Sequence, residues 1–136
     1  MIVTASSRKV SDLDLEFQPK AQAFLDACAS AGINLLVTCT ARSNADQAAL
    51  YAQGRTAPGH IVTDARPGHS AHNYGLALDV ALVVNGKLDW NASDPGWKQM
   101  GAIAVAQGLV WAGAPGFPFP EEPHVEDPNW REIAGI

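Results

Sequence analysis

Apolar residues recur at three- and four-residue intervals in one stretch of the chain, and cap and proline signals begin two more stretches, so that the pattern predicts three helices. The first begins at Pro19, a residue that suits the first turn of a helix, and ends at Gly32. The second has Ser43 as its cap and runs to about Gly54. The third covers residues 94–107 and begins with an Asp-Pro pair. The apolar stripe of the first helix consists of Ala21, Phe24, Leu25, Cys28 and Ala29.

Short apolar and β-branched runs between turn residues predict the strands. An Asn-Gly pair at residues 85–86 predicts a hairpin, with a return strand over residues 87–90. The other predicted strands cover residues 33–40, 75–84, 109–111 and 124–126.

Helices and strands follow one another without regular βαβ alternation, which favours the α+β class. We therefore expect one small domain over residues 1–136, with an antiparallel sheet of about four strands and helices packed on one side. Residues 1–18 are polar and are expected to lie on the surface, and residues 128–136 form a tail with at most one helical turn. Residues 55–71 are rich in Gly, Pro, His and Asp without a period, which predicts a long functional loop.

Composition narrows the classes of function. The net charge of -5 gives no electrostatic basis for nucleic-acid binding, and no apolar run is long enough to span a bilayer. The N-terminal residues lack the apolar core of a signal peptide, so we expect a chain made in the cytoplasm. Cys28 and Cys39 do not make a disulfide framework and are expected to be buried free thiols. We expect a monomer that binds neither nucleic acid nor membrane.

A carboxylate interrupts the apolar strand over residues 75–84. Asp79 shares a strand face with Ala77 and Ala81, and an unpaired charge buried there would be costly. Its position alone leaves two kinds of partner open, a metal ion or an arginine such as Arg42.

Histidines supply the other candidate metal ligands. His60, His69 and His72 lie in or beside the long loop, and spacing alone does not choose between His69 and His72. His124 follows Pro123, which excludes a helical Glu-x-x-His and implies a turn or extended geometry. Two imidazoles and one carboxylate from separate segments can hold zinc and leave one coordination position open for water.

Acidic residues surround His124. On a strand, His124 and Glu126 would share a face, which makes Glu126 a rival ligand. The alternative is that the whole group is a solvated acidic cluster. Its members are Glu121, Glu122, Glu126 and Asp127.

Two motifs resemble the signature of the LAS-type zinc peptidases, the family that includes the D-alanyl-D-alanine carboxypeptidases and dipeptidases of the VanY kind. The motifs are Ser70-x-His72-x-x-Gly75-x-Ala77-x-Asp79 and Glu121-x-x-His124. The resemblance extends over residues 24–126 and favours His72 over His69. It implies one zinc ion per chain at the sheet, bound by His72, Asp79 and His124.

The resemblance also implies roles for four other residues. Glu121 would be the catalytic acid/base, which takes a proton from water and later gives it to the leaving amine. Arg42 would stabilise the polarised carbonyl or bind a substrate carboxylate. Ser70 and Trp111 would serve substrate binding, Ser70 by supporting the site through a hydrogen bond and Trp111 as an aromatic residue near the groove.

An upstream segment resembles the peptidoglycan endopeptidase branch of the same family. It consists of Ala41-Arg42-Ser43 and Gln47-x-x-Leu50-Tyr51-x-Gln53-Gly54-Arg55. Members of that branch cut the stem peptide between L-alanine and D-glutamate, and many are phage endolysins. The resemblance implies a single catalytic domain without a separate wall-binding domain, released by a holin from the host cytoplasm to the cell wall or periplasm.

One loop departs from the family pattern. Relatives commonly carry a Gly-Gly-Asp-Trp-like stretch after the position of Trp111, whereas residues 112–116 of this chain read Ala-Gly-Ala-Pro-Gly. An alternative function is therefore that of a D-alanyl-D-alanine carboxypeptidase. A second alternative, of a different class, is a non-catalytic, zinc-stabilised wall-binding module.

Overall fold

A computed structural model describes residues 2–117 and 119–136. The helices of the described part are α1 (Gln18–Ser30), α2 (Asn44–Ala52), α3 (Pro95–Ala106) and α4 (Trp130–Ala134), with short 3-10 helices over Val10–Asp12 and Ala71–Tyr74. Its strands are β1 (Leu35–Cys39), β2 (Ala77–Val84), β3 (Lys87–Asp89), β4 (Val110–Trp111) and β5 (His124–Glu126).

Local signals in the sequence set several of these bounds. Ser43 Oγ accepts a hydrogen bond from the backbone N–H three residues on, at 3.1 Å, and so begins α2. Asp94 Oδ1 caps α3 in the same way, at 2.8 Å from the N–H two residues on. Asn85 and Gly86 have φ angles of 52° and 74°, as a two-residue hairpin turn requires. The predicted α+β arrangement is confirmed, with bounds shifted by a few residues.

The strands form one antiparallel sheet in the order β1-β2-β5-β4, and β3 pairs with the far end of β2. The sheet thus has five strands in the described residues, where about four were expected. Asp79 of β2 lies opposite Cys39 of β1 on one side and opposite His124 of β5 on the other. This register brings a predicted acid and a predicted imidazole side by side.

Alternate residues of β2 face opposite sides of the sheet. Leu78, Val80 and Leu82 belong to the hydrophobic core. Helices α1 and α3 contact each other and contribute to the same core. Asp79 therefore projects from the other face. The helical contribution to the core includes Phe24, Cys28, Trp97 and Met100.

One local prediction was wrong. Leu13 and Phe17 are 2% and 1% exposed, although residues 1–18 were expected on the surface. A backbone hydrogen bond from Asp14 N to the Gly75 carbonyl, 3.0 Å long, holds this segment against the chain that carries His72. Residues 71–74, between the predicted loop and the predicted strand, form a 3-10 helix with i to i+3 hydrogen bonds.

The remaining expectations concern cysteines and membranes. Both cysteines are free, as predicted, but only Cys28 is buried, and burial raises the pKa of its thiol to about 11. Cys39 is half-buried beside His72. Within residues 2–117 and 119–136, no helix has the length and apolar character needed to cross a bilayer.

Candidate active site

Three side chains from separate elements converge on the face of the sheet opposite α1 and α3. His72 comes from the 3-10 helix, Asp79 from β2 and His124 from the start of β5. His72 Nε2 lies 3.1 Å from Asp79 Oδ1 and 3.2 Å from His124 Nδ1. The third edge, from His124 Nδ1 to Asp79 Oδ1, is 3.2 Å. The three atoms thus form a nearly equilateral triangle.

The dimensions of this triangle fit a zinc ion. Zinc bonds of about 2.0–2.2 Å at tetrahedral angles separate neighbouring ligand atoms by roughly 3.3–3.6 Å, close to the observed edges. Two nitrogens and one oxygen are also a ligand set that zinc accepts, with a fourth position left for water or substrate. The residues present therefore fit the zinc site that the sequence predicted.

Cys39, His72 and Asp79 also lie close enough together to hold a metal ion. The thiol of Cys39, however, approaches the other ring nitrogen, at 3.8 Å from His72 Nδ1. That nitrogen lies 2.6 Å from the Thr40 carbonyl oxygen, to which it donates its proton. We therefore favour the triangle that includes His124 and place Cys39 next to it.

Each imidazole has a hydrogen-bond partner that fixes its tautomer. Donation from His72 Nδ1 to Thr40 leaves the lone pair of Nε2 directed towards the triangle. His124 Nε2 lies 2.7 Å from Glu126 Oε1, so its Nδ1 keeps the lone pair. Glu126, the rival ligand of the sequence analysis, thus contacts the far side of the ring. Such outer partners orient metal-ligating histidines and raise their basicity.

The 3-10 helix positions His72. Ser70 Oγ accepts a hydrogen bond from the His72 backbone N–H at 3.3 Å, and Ser70 N donates to Asn73 Oδ1 at 3.2 Å. Gly75 ends the helix with a φ angle of 69°, in the left-handed region. Ser70 is 8% exposed and lines the cleft. Its bond to His72 provides support of the kind predicted, and contact with substrate remains a prediction.

Arg42 contacts the second oxygen of the carboxylate. Its Nη2 donates to Asp79 Oδ2 at 3.3 Å, and its backbone N donates to the His72 carbonyl at 2.9 Å. Of the two partners that the sequence left open for Asp79, the arginine contacts Oδ2, while Oδ1 faces the two imidazoles with which it would bind a metal ion. Arg42 also lines the cleft, so its predicted contact with substrate stays open as a prediction.

Glu121 stands beside the triangle without belonging to it. Residues 121–124 form a turn, closed by a hydrogen bond of 3.1 Å from His124 N to the Glu121 carbonyl. The turn places Glu121 Oε2 3.9 Å from His124 Nδ1. In other Glu-x-x-His arrangements a helix positions the glutamate beside the histidine, and here a turn does so. This geometry suits an acid/base next to a metal ion.

Burial and mutual charge set the ionisation of the site. Burial raises the pKa of Asp79, but the two imidazoles outweigh it and hold that pKa well below its usual range. Burial is the main cause that raises the pKa of Glu121, and His124 partly opposes it. A carboxyl with a raised pKa is better suited to exchange protons near neutral pH.

The site opens into a cleft of about 910 Å³. The aromatic side chains in its lining are Phe117, Phe119 and Trp130. Trp111 is not among the described lining residues, and its substrate-binding role stays a prediction. Its Nε1 donates to the Glu122 carbonyl at 2.8 Å, and a Cβ added at Gly101 or Gly113 would meet its ring at 2.2 or 2.4 Å. The indole is thus packed between two glycines and supports the chain that leads to Glu121.

The sequence analysis missed several supporting residues. Thr40, Gln47 and Asn73 are buried polar residues next to the site, at 0%, 0% and 6% exposure. For Thr40 and Asn73 the only available signal was a polar side chain in an apolar or capping position, whereas Gln47 belonged to the upstream motif without an assigned role. Asp127, for which a solvated acidic cluster was the alternative, is 1% exposed and accepts a hydrogen bond of 3.1 Å from Lys20 Nζ.

Two imidazoles and a carboxylate in a triangle, with a second carboxylate beside it in an open cleft, define a metal-dependent hydrolase. The sequence model of the VanY family, described as D-alanyl-D-alanine carboxypeptidase, matches residues 10–118. The peptidoglycan L-alanyl-D-glutamate endopeptidase CwlK of Bacillus subtilis (strain 168) is 40% identical over 124 residues, covering 85% of this chain and 74% of CwlK. The chain therefore belongs to the VanY family of zinc peptidases, as the motifs predicted.

Solved structures share the fold. The L-Ala D-Glu endopeptidase ChiX of Serratia marcescens superposes with a TM-score of 0.64 at 16% identity, covering 98% of this chain and 92% of ChiX. The vancomycin resistance D,D-pentapeptidase VanY, solved in complex with Zn(II), gives a TM-score of 0.62 at 14% identity, covering 100% of this chain and 93% of that chain. At these identities the likeness establishes the fold alone.

Proposed function

We propose that the protein is a zinc-dependent peptidoglycan endopeptidase that hydrolyses the L-alanyl-D-glutamate bond of the stem peptide. The observation that carries this proposal is the 40% identity to CwlK across most of both chains. The site supports it with three convergent ligand atoms, an acid beside them and an open cleft of about 910 Å³.

The protein's own residues supply most of the proposed mechanism. Zinc held by His72, Asp79 and His124 would polarise the scissile carbonyl and lower the pKa of a water molecule towards about 7. Glu121 takes the proton of the attacking water and returns it to the leaving amine of D-glutamate. Arg42, the cation that lines the cleft beside Asp79, stabilises negative charge on the carbonyl oxygen.

The bond that is cut can be read from the products. Purified peptidoglycan is incubated with the zinc-loaded protein, and the soluble fragments are analysed by mass spectrometry and end-group labelling. We expect new L-alanine C-termini and new D-glutamate N-termini. Intact stem peptides after prolonged digestion would contradict the proposal and would favour the non-catalytic, wall-binding alternative.

The family description favours a second candidate, D-alanyl-D-alanine carboxypeptidase. That activity releases free D-alanine from a pentapeptide stem and leaves the L-alanyl-D-glutamate bond whole. The same digestion separates the two, because only the carboxypeptidase yields D-alanine without fragmenting the stem.

We also propose that the activity serves host lysis, as in a phage or prophage endolysin. The support is the likeness of the segment around Arg42 to that branch of the family. Expression in bacterial cells with and without a co-expressed holin tests it. We expect lysis only when both proteins are expressed. Absence of lysis in cells that express the protein together with the holin would contradict the proposed role in host lysis.

A further inference from the structure

A buried glutamine lies between the zinc site and one wall of the cleft. Gln47 is 0% exposed and is the one buried residue of α2. It does not line the cleft, so it is placed to act through its neighbours. A buried primary amide needs hydrogen-bond partners for both its oxygen and its nitrogen, and both atoms of the Gln47 amide have such partners.

The oxygen of the amide faces the zinc site. Gln47 Oε1 accepts a hydrogen bond of 3.0 Å from Arg42 Nη1. The other terminal nitrogen of Arg42 donates to Asp79 Oδ2 at 3.3 Å. Gln47 is thus two hydrogen bonds from a proposed metal ligand and fixes the guanidinium that holds its carboxylate.

The nitrogen of the amide faces the cleft wall, which we define as residues 62–65. Gln47 Nε2 donates to the Ala65 carbonyl at 2.8 Å and to Thr63 Oγ1 at 3.5 Å. Both residues line the cleft. The same loop is held elsewhere by Gln53 Nε2, which donates to the His60 carbonyl at 3.0 Å.

We propose that Gln47 is a positioning residue that couples the 62–65 wall to the Asp79 side of the zinc site. Since one planar amide holds both neighbours, loss of the amide loosens both Arg42 and the wall. The effect on substrate rests on the proposed peptidase function, whereas the effects on zinc affinity and on the loop do not.

Three variants distinguish the contact of the amide oxygen with Arg42 from the contacts of the amide nitrogen with the cleft wall. Gln47→Met keeps the length of the side chain and removes both sets of hydrogen bonds. Gln47→Glu keeps an oxygen acceptor for Arg42 and removes the donor to Ala65 and Thr63. Gln53→Met, the matched control at the residue that follows α2, removes a loop contact that has no link to Arg42.

The measurements are zinc affinity by chelator competition, hydrogen exchange of residues 60–66, and kcat and KM on soluble peptidoglycan fragments. All three variants should exchange faster in the loop and raise KM. Gln47→Met alone should weaken zinc binding, by about 10-fold, the lower end of the range for outer partners of metal ligands. Circular dichroism verifies that each variant is folded.

Two results would overturn the coupling: equal zinc affinity in Gln47→Met and wild type, or the same loss of zinc in Gln53→Met. If the unaltered protein cleaves no peptidoglycan fragment, the proposed function fails. Zinc affinity and hydrogen exchange still decide the role of Gln47 in that case.

Discussion

The floor and the rim of the cleft are built in different ways. The floor, which we define as His72, Asp79, Glu121 and His124, rests on paired strands and on two short turns closed by backbone hydrogen bonds. The rim consists of loop residues 60–69 and of residues 112–117 and 119–120. Gln53 holds it through a bond to the His60 carbonyl, and the ring of Trp111 packs against Gly113. Reacting groups need a fixed geometry, whereas substrate selectivity can vary with loops on a common scaffold.

If the floor carries the chemistry, the largest loss of turnover should come from Glu121→Gln. This change removes the acid/base but keeps the size of the side chain, so kcat should fall by about 10²- to 10⁴-fold. Zinc content, measured by metal analysis, should stay at one ion per chain. Glu122→Gln is the matched control from the same turn and should keep its activity. Full turnover in Glu121→Gln would assign the proton transfer to another group.

Acidification should weaken zinc binding at the floor. Burial lowers the pKa of both imidazoles, but the acidic neighbours outweigh it and raise the pKa of His72 to about 10 and that of His124 to about 9. Zinc binds neutral imidazole, so it must displace protons below these values. Between pH 8 and pH 6 the measured zinc affinity should therefore fall by at least about 10-fold per unit. An affinity independent of pH would contradict the assigned ligands.

Glu126, the hydrogen-bond partner of His124 Nε2, tests how far zinc binding depends on the orientation of this imidazole. Glu126→Leu removes the acceptor of the Nε2 proton and should lower zinc affinity by about 10- to 100-fold. Glu126→Gln retains an amide oxygen as acceptor and should lose less. Glu132→Gln on α4 serves as a control for the change in charge. If Glu126→Leu binds zinc as tightly as wild type, Glu126 does not orient the ring.

A change in the rim should have the smallest effect. Trp111→Phe keeps an aromatic ring between Gly101 and Gly113 but loses the bond to Glu122, which should lower the free energy of unfolding by about 1 kcal/mol. Urea denaturation measures this loss, and KM should rise while zinc affinity stays unchanged. Trp90→Phe, at an exposed position, is the control. Loss of zinc in Trp111→Phe would mean that floor and rim are not separate.

The sequence anticipated the floor better than the rim. The strand pattern placed Asp79 among apolar neighbours, and the motifs selected His72 over His69. The structure agrees with that choice, because His72 is buried in the triangle and His69 is an exposed residue of the cleft lining. The rim was less predictable, since loops have no hydrophobic period from which their structure can be predicted. Trp111 illustrates this, because the resemblance implied a place near the groove, whereas its bond to Glu122 and its packing between two glycines became visible only in the structure.

By itself, the sequence determined the donor atoms of the site and the local elements that carry them. Caps, turn pairs and hydrophobic periods are short-range signals, and they specified α2, α3, the β2–β3 hairpin and the extended chain at His124. Only the tertiary structure decided which atoms face one another. Thr40 is bonded to His72, Arg42 to Asp79 and Gln47 to Ala65. These partners lie 18 to 37 residues apart in the chain, and packing of the whole domain brings them together.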